Sequence, residues 1–397
     1  MTQEWWSTMS RRRLQPGMRK VTLKSGETRY EVTLDAGNDP VTGKRRQTRK
    51  RFKTLDEANA AHAKIHTEVD AGTYVVRSAV TVDQACSDYV AGRHNLRATS
   101  LSKLEYDLAP LRERHGDMPL QALTKRHIDD LVRDLRAGGT TTAKGRVRKA
   151  WSPAAVNKVI VTIQQVLADA VEQGFIARNV AAGVDRVPVP YKAMGTYTAD
   201  EVRTLLAAAD KDRNGHAWHL ALSGLRRGEI AGLRWSDVDL EAGTLSIATN
   251  RVMAGSRTVE NEPKTVTSRR TLPLSGPLKA ALEAARVRQM RERLALGPDY
   301  GSGQCVVSNE AGEPYNPAVL SRYWRDFAVK AGVRPLRLHD CRHTAATTLH
   351  LQGVPVAVIA AWIGHADASF TMQVYAHSQN DALNDAASVL GAIVTPM

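Results

Sequence analysis

The stretch 335–378, PLRLHDCRHTAATTLHLQGVPVAVIAAWIGHADASFTMQVYAHS, carries His339, Arg342, His343, His350, His365, Tyr375 and His377. The whole chain has 12 histidines, so five of them crowd into this one window. Three readings compete for the cluster: a metal site, a phosphate-handling site, or an ordinary helix surface. His339 and His343 have i,i+4 spacing and would share a helix face. A hydrolytic zinc helix with that spacing also needs a glutamate between the histidines as base. Here Asp340, Cys341 and Arg342 intervene, and a cation beside a metal opposes binding. The sequence therefore points to no metal. His339 and Arg342, three residues apart, suit a phosphodiester better. A guanidinium gives two hydrogen bonds to two non-bridging oxygens and keeps its charge, and an imidazole moves a proton near neutral pH. H-x-x-R arises often by chance, and by itself a solvated helix face explains it equally well.

Composition narrows the partner. With 55 Lys+Arg against 41 Asp+Glu, the 397 residues have a formal net charge of +14. Such an excess suggests a polyanion, most often nucleic acid. Residues 1–77 hold 16 basic and 9 acidic side chains, so half of the excess lies in the first fifth of the chain. A hydrophobic share of 43% and a charged share of 24% are those of a soluble globular protein, and the length implies two or three domains. Cys86, Cys305 and Cys341 are far apart and odd in number, which implies no disulfide framework and fits a reducing cytoplasm. No apolar run approaches the ~18–20 residues of a membrane span. The start, MTQEWWSTMSRRRLQPGMRK, lacks the apolar centre of a signal peptide, and residues 1–18 read as a flexible terminus.

Three modules are expected. In residues 19–77, RKVTLKSGETRYEVTL reads as two short strands around a turn. A basic strand follows with Lys44, Arg45, Arg46, Arg49, Lys50, Arg51 and Lys53, then a helix with Thr54 and Glu57 as a capping box and Gly72 as its stop. Residues 80–183 read as all-helical. Their clearest start signal is Ser152 followed by Pro153, opening an apolar face of Val156, Val159, Ile160, Ile163, Val166, Leu167 and Val171. Residues 184–196 contain Pro188 and Pro190 and read as a linker. From 197 to 379 the pattern mixes helices with a small sheet: a capped helix at TADEVRTLLAAAD, two helices broken around Gly224, strands at GTLSIATNRV and RRTLPLS, and a helix at GPLKAALEAARVRQMRERLAL.

Four blocks in order, SGLRRGEIAGLRWSDVDL (223–240), PKTVTSRRTLPL (263–274), LHDCRHTAATTL (338–349) and IGHADASFTMQVYAHS (363–378), resemble the tyrosine recombinases, in particular the phage-type integrases. The resemblance covers the region from about 195 to 380 and, more loosely, the two modules ahead of it. It implies a multidomain, mainly α mixed α/β fold: a small sheet-plus-helix arm-binding domain, a helical core-binding domain and an α+β catalytic domain. It places the catalytic arginines at Arg226 and Arg342, the lysine at Lys264, the histidines at His339 and His365, and the nucleophile at Tyr375.

The implied reaction is attack of Tyr375 on a scissile phosphate, with neither metal nor ATP and no other cofactor. The implied partners are double-stranded DNA with core-type and arm-type sites, a homotetramer, a DNA-bending host factor and a directionality factor, in a nucleoid-associated setting. The implied biology is integration or excision of a phage genome or other mobile element. Residues 380–397 read as a short amphipathic helix exchanged between protomers.

The basic strand at 44–53 is the first candidate for DNA contact, and the loop with Lys144, Arg146 and Arg148 the second. Arg269 and Arg270 are expected on DNA backbone or in solvent, and His343, His350 and His377 as structural or exposed. Two rivals stay open: a non-catalytic DNA-binding protein on the same fold, which has no need of Tyr375 or Lys264, and a type IB topoisomerase, which relaxes DNA without a specific site.

Overall fold

The computed structural model describes residues 14–38, 45–71, 74–142, 145–191, 194–261 and 269–364. Two compact units divide the chain, Met1–Val189 and Pro190–Met397, with the division inside the proline-bearing stretch 184–196.

In the first unit, strands β1 (Met18–Thr22), β2 (Thr28–Asn38) and β3 (Arg45–Phe52) form an antiparallel sheet in that order. Helix α1 (Leu55–Asp70) covers one face through Val32, Ala58 and Ile65. Its start is the expected box: the Glu57 amide donates to Thr54 Oγ1 at 3.2 Å and the Thr54 amide to Glu57 Oε2 at 3.4 Å. The expected stop, Gly72, lies outside the described residues.

Four helices follow, α2 (Val82–Ala91), α3 (Ala98–His115), α4 (Lys125–Ala137) and α5 (Pro153–Glu172). Thr81, Thr124 and Ser152 cap three of them. By length and composition alone α5 is long and apolar enough to cross a membrane, although polar residues such as Lys158, Gln164 and Asp169 interrupt it. Its apolar side is spent inside the protein: Val156, Val159, Ile160 and Ile163 are fully buried against α2, α3 and α4.

The second unit begins with α6 (Ala199–Ala209), α7 (Gly215–Leu222) and α8 (Arg227–Gly232). The break between α7 and α8 is at Gly224, whose φ of +98° is open to glycine at little cost. Strand β4 (Val238–Asp239) pairs with β5 (Thr244–Ile247), and β6 (Asn250–Ala254) pairs with β7 (Arg257–Asn261). GTLSIATNRV is thus two strands in different sheets rather than one. Strand β8 (Arg270–Pro273) joins β5 to complete the order β4-β5-β8. Helices α9 (Gly276–Leu296), α10 (Pro317–Lys330), α11 (Leu338–Leu351) and α12 (Val356–Ile363) complete the described part. An aromatic centre holds the helices together: Trp324 meets Trp218 edge-on at 5.5 Å between centroids and Tyr197 at 6.1 Å.

Candidate active site

Lys264, His365 and Tyr375 lie outside the described residues, as do Lys44, Lys144, His377 and the segment 380–397. Arg226, His339 and Arg342 are described, and two elements distant in sequence carry them. Arg226 is the residue before α8. His339 is in the first turn of α11, and Arg342 is one turn further along the same helix. Arg226 and His339 line one cleft of about 610 Å³, with Arg227, Ser321, Arg325 and Arg337 around them. The N-terminal end of α11 adds its positive dipole to this cationic wall.

Arg342 is only 2% exposed. It donates through Nη1 to the Gly224 carbonyl at 2.8 Å and through Nη2 to the Ile363 carbonyl. The glycine that breaks α7 from α8 therefore also anchors the second arginine. Arg226 donates through Nη2 to the Gly364 carbonyl at 2.8 Å and through Nη1 to Glu229 Oε1 at 2.8 Å. Its neighbour Arg227 donates to Ser321 Oγ at 3.0 Å. His339 is at the surface, with its ring centroid 5.0 Å from that of His343. Desolvation, then the nearby His343 and Arg342, push the His339 pKa down to about 4. The ring is therefore neutral near pH 7 and has a lone pair for a proton. His343 is 8% exposed, and burial lowers its pKa as well.

Two residues of this network were not anticipated. Glu229 is 4% exposed and accepts from the Arg226 amide at 2.9 Å as well as from its guanidinium. Its position three residues into the turn that opens α8, where a glutamate caps the helix start, was the available signal. Arg270 was expected on DNA or in solvent, but its side chain is 7% exposed and ion-paired to Glu229 at 3.0 Å. The reason is strand parity. Arg270 stands opposite Ile247 as Leu272 stands opposite Leu245, so it points to the same inner face as the buried Leu272. Burial by itself would raise the Glu229 pKa, yet the Arg270 fork and then Arg226 hold it below the ordinary carboxylate range.

In the basic strand, parity also sorts the candidates. Arg49 pairs with Thr33 and Arg51 with Glu31 on one face, whereas Lys50 pairs with Val32 on the helix-covered face. Glu31, 1% exposed, accepts from Arg51 Nε at 2.8 Å and from Arg19 Nε at 2.7 Å, which lowers its pKa. Arg45 and Arg46 belong to the same strand, and Lys53 is exposed just beyond it. In the second candidate loop Arg146 is exposed, whereas Arg148 is 13% exposed and paired to Glu113. Among the described residues no three His, Cys, Asp or Glu side chains converge as a metal-binding group.

Residues 196–381 match the phage integrase family, and residues 18–69 match an arm DNA-binding domain. A XerC-like tyrosine recombinase of Caldanaerobacter subterraneus is 29% identical over 228 residues, which span 52% of this chain and 58% of that one. The ICEBs1 integrase of Bacillus subtilis is 25% identical over 362 residues, 89% of this chain and 94% of that one. Among solved structures, the integrase of transposon Tn1549 in complex with transposon right end DNA shares the fold with a TM-score of 0.62 at 19% identity, over 79% of this chain and 100% of that chain. A lambda integrase tetramer bound to a Holliday junction gives 0.55 at 18% identity, over 92% and 96%. Residues 196–381, the region that holds Arg226, His339 and Arg342, belong to the phage integrase family.

Proposed function

We propose that this protein is a site-specific DNA recombinase that integrates or excises a mobile element through a 3′-phosphotyrosyl intermediate. One observation carries the reading: Arg226 and Arg342, from distant parts of the sequence, converge on the end of α12, immediately ahead of the segment bearing His365 and Tyr375, and His339 shares a cleft with Arg226.

Tyr375 Oη forms a bond to the scissile phosphorus, the bond from phosphorus to the 5′ oxygen breaks, and a free 5′-hydroxyl leaves. A tyrosine hydroxyl, with a pKa of ~10, needs a base nearby, and neutral His339 takes its proton. Lys264 gives a proton to the leaving oxygen. Arg226 and Arg342 hold the charge that builds on the non-bridging oxygens, and His365 hydrogen-bonds the same phosphate. The guanidiniums supply the positive charge that divalent metals supply elsewhere in phosphoryl transfer, so the reaction runs without metal. The phosphotyrosyl bond conserves the energy of the broken one, so ATP is not consumed.

In this reading residues 19–77 bind arm-type DNA through the outer face of the sheet, residues 80–183 and 197–379 grip core-type DNA, and four protomers act on two duplexes. The basic face and the loop at 144–148 neutralise phosphates. A DNA-bending host factor and a directionality factor complete the assembly at the nucleoid.

A nicked suicide substrate carrying a candidate attachment core tests the proposal, in chelator and without nucleotide. Wild type is expected to give a covalent protein–DNA band that Tyr375→Phe does not. A band that survives in Tyr375→Phe would move the nucleophile elsewhere. No band from wild type on DNA that it binds would favour a non-catalytic binder.

A further inference from the structure

Three consecutive carbonyls end α12, and each accepts from a different arginine. Arg270 Nε donates to the Trp362 carbonyl at 2.6 Å, Arg342 Nη2 to that of Ile363, and Arg226 Nη2 to that of Gly364 at 2.8 Å. A helix end leaves its last carbonyls unpaired and carries partial negative charge, so cations are held well there. Two of these arginines are the phosphate-binding pair of the proposed reaction. Arg270 differs: it does not line the cleft that Arg226 and His339 share. Its other donors make a two-point contact with Glu229, Nη1 to Oε1 at 3.1 Å and Nη2 to Oε2 at 3.0 Å, and Glu229 in turn holds Arg226. A closed ring of bonds results, running from Arg226 to Glu229, Arg270, Trp362 and, through the α12 backbone, back to Arg226 at Gly364. His365 is the next residue in the chain, so the ring fixes where the segment bearing His365 and Tyr375 departs.

We infer that Arg270 is a positioning residue for strand cleavage, keeping the end of α12 in register with Arg226 and Arg342; this rests on the phosphotyrosyl reading above. A planar fork gives the carboxylate two parallel hydrogen bonds while its Nε–H reaches the carbonyl, a fixed geometry that a lysine ammonium does not reproduce. Loss of the fork lets the two arginines and the exit of the tyrosine segment drift apart, and a displacement near 1 Å at a reacting centre lowers rates about 100-fold.

The test measures the single-turnover rate of covalent complex formation by the full chain on the suicide substrate, beside DNA affinity and melting temperature. Arg270→Ala is expected to lose about 100-fold in rate while DNA affinity is kept. Added guanidinium ion is expected to restore part of the rate by refilling the space between Glu229 and the Trp362 carbonyl. Arg270→Lys is expected to fall between wild type and Arg270→Ala. An unchanged rate in Arg270→Ala would overturn the inference, and so would a loss of rate matched by an equal loss of DNA affinity and not rescued by guanidinium. If Arg270→Ala does not fold, a stable Arg270→Lys that cleaves at the wild-type rate overturns it equally. Wild type giving no covalent complex would refute the reading beneath it, and that result is visible before any variant is compared.

Discussion

Replacing Glu229 by glutamine changes one atom and removes one charge from the middle of the arginine network. The carboxylate accepts four hydrogen bonds, from the Arg226 amide at 2.9 Å, Arg226 Nη1 at 2.8 Å, Arg270 Nη1 at 3.1 Å and Arg270 Nη2 at 3.0 Å. Glutamine keeps one acceptor and turns an NH₂ group toward donors. Removing one partner of a buried ion pair costs about 3–5 kcal/mol, because the other charge stays buried without compensation. Arg270 is 7% exposed, so its share takes little screening. The Arg226 side chain is 33% exposed, and its share is discounted. The lower end, about 3 kcal/mol, is therefore expected. For a unit of this size each kcal/mol shifts Tm by about 2–4 °C, which gives a drop of about 6–12 °C.

The sign with pH follows from Glu229 being held below its ordinary value of 4.5. Its contribution is fully present above the unfolded carboxylate pKa and fades as pH falls through the folded one. Calorimetry of wild type and Glu229→Gln at pH 7, and again at acid pH, measures both effects. A Tm difference below about 2 °C at pH 7 would refute the charge argument. A difference that stays constant from pH 7 down to acid would show that shape, not charge, matters at this position.

Trp324 is fully buried against Trp218 and Tyr197, so Trp324→Ala should cost about 3–5 kcal/mol in urea unfolding, and a loss well below that range would mean the aromatic centre is not the keystone of the second unit. His216 is buried with Nε2 3.0 Å from the Val306 carbonyl, and burial pushes its pKa down to about 3 from 6.5. The unfolded chain takes a proton that the folded one refuses, so His216 makes stability fall as pH drops from 6.5 toward 3; His216→Gln should flatten that slope, and identical slopes would contradict it. His339→Gln should slow covalent complex formation by about 10²–10⁴, and in wild type the acid limb of the second-order rate should lie below pH 6.5; an acid limb at or above that value would remove neutral His339 as the proton acceptor. On arm-type DNA, Arg49→Ala should reduce the log–log salt slope by about 1, and Arg51→Ala by less, because Arg51 is already paired to Glu31; the reverse order would place the DNA elsewhere.

What the sequence disclosed was mostly local. The Thr54–Glu57 box, the Thr198 and Ser152 caps and the break at Gly224 depend on a few neighbouring residues, and the structure contains each of them. The pairing of β6 with β7 escaped because GTLSIATNRV has no obvious stop at Ala248–Thr249, where the chain leaves one sheet for another. Arg270 was misplaced because a basic pair beside a turn reads as solvent, and only its parity with Leu272 argued otherwise. Which carbonyls the arginines would choose was out of reach. Arg226 and Gly364 are 138 residues apart, and Arg342 and Gly224 are 118 apart, with no pattern joining them.

Gly364 ends α12 in the left-handed conformation, φ 64° and ψ 51°. A Cβ placed there would lie 2.8 Å from Arg270 Nη1 and 3.2 Å from its Cζ. That guanidinium has no room to yield, being pinned to Glu229 on one side and to the Trp362 carbonyl on the other. Positions 270 and 364 therefore form one heritable unit: a lineage that trades the glycine for a larger residue is expected to have changed the arginine together with it, and drift at either position alone should be purged.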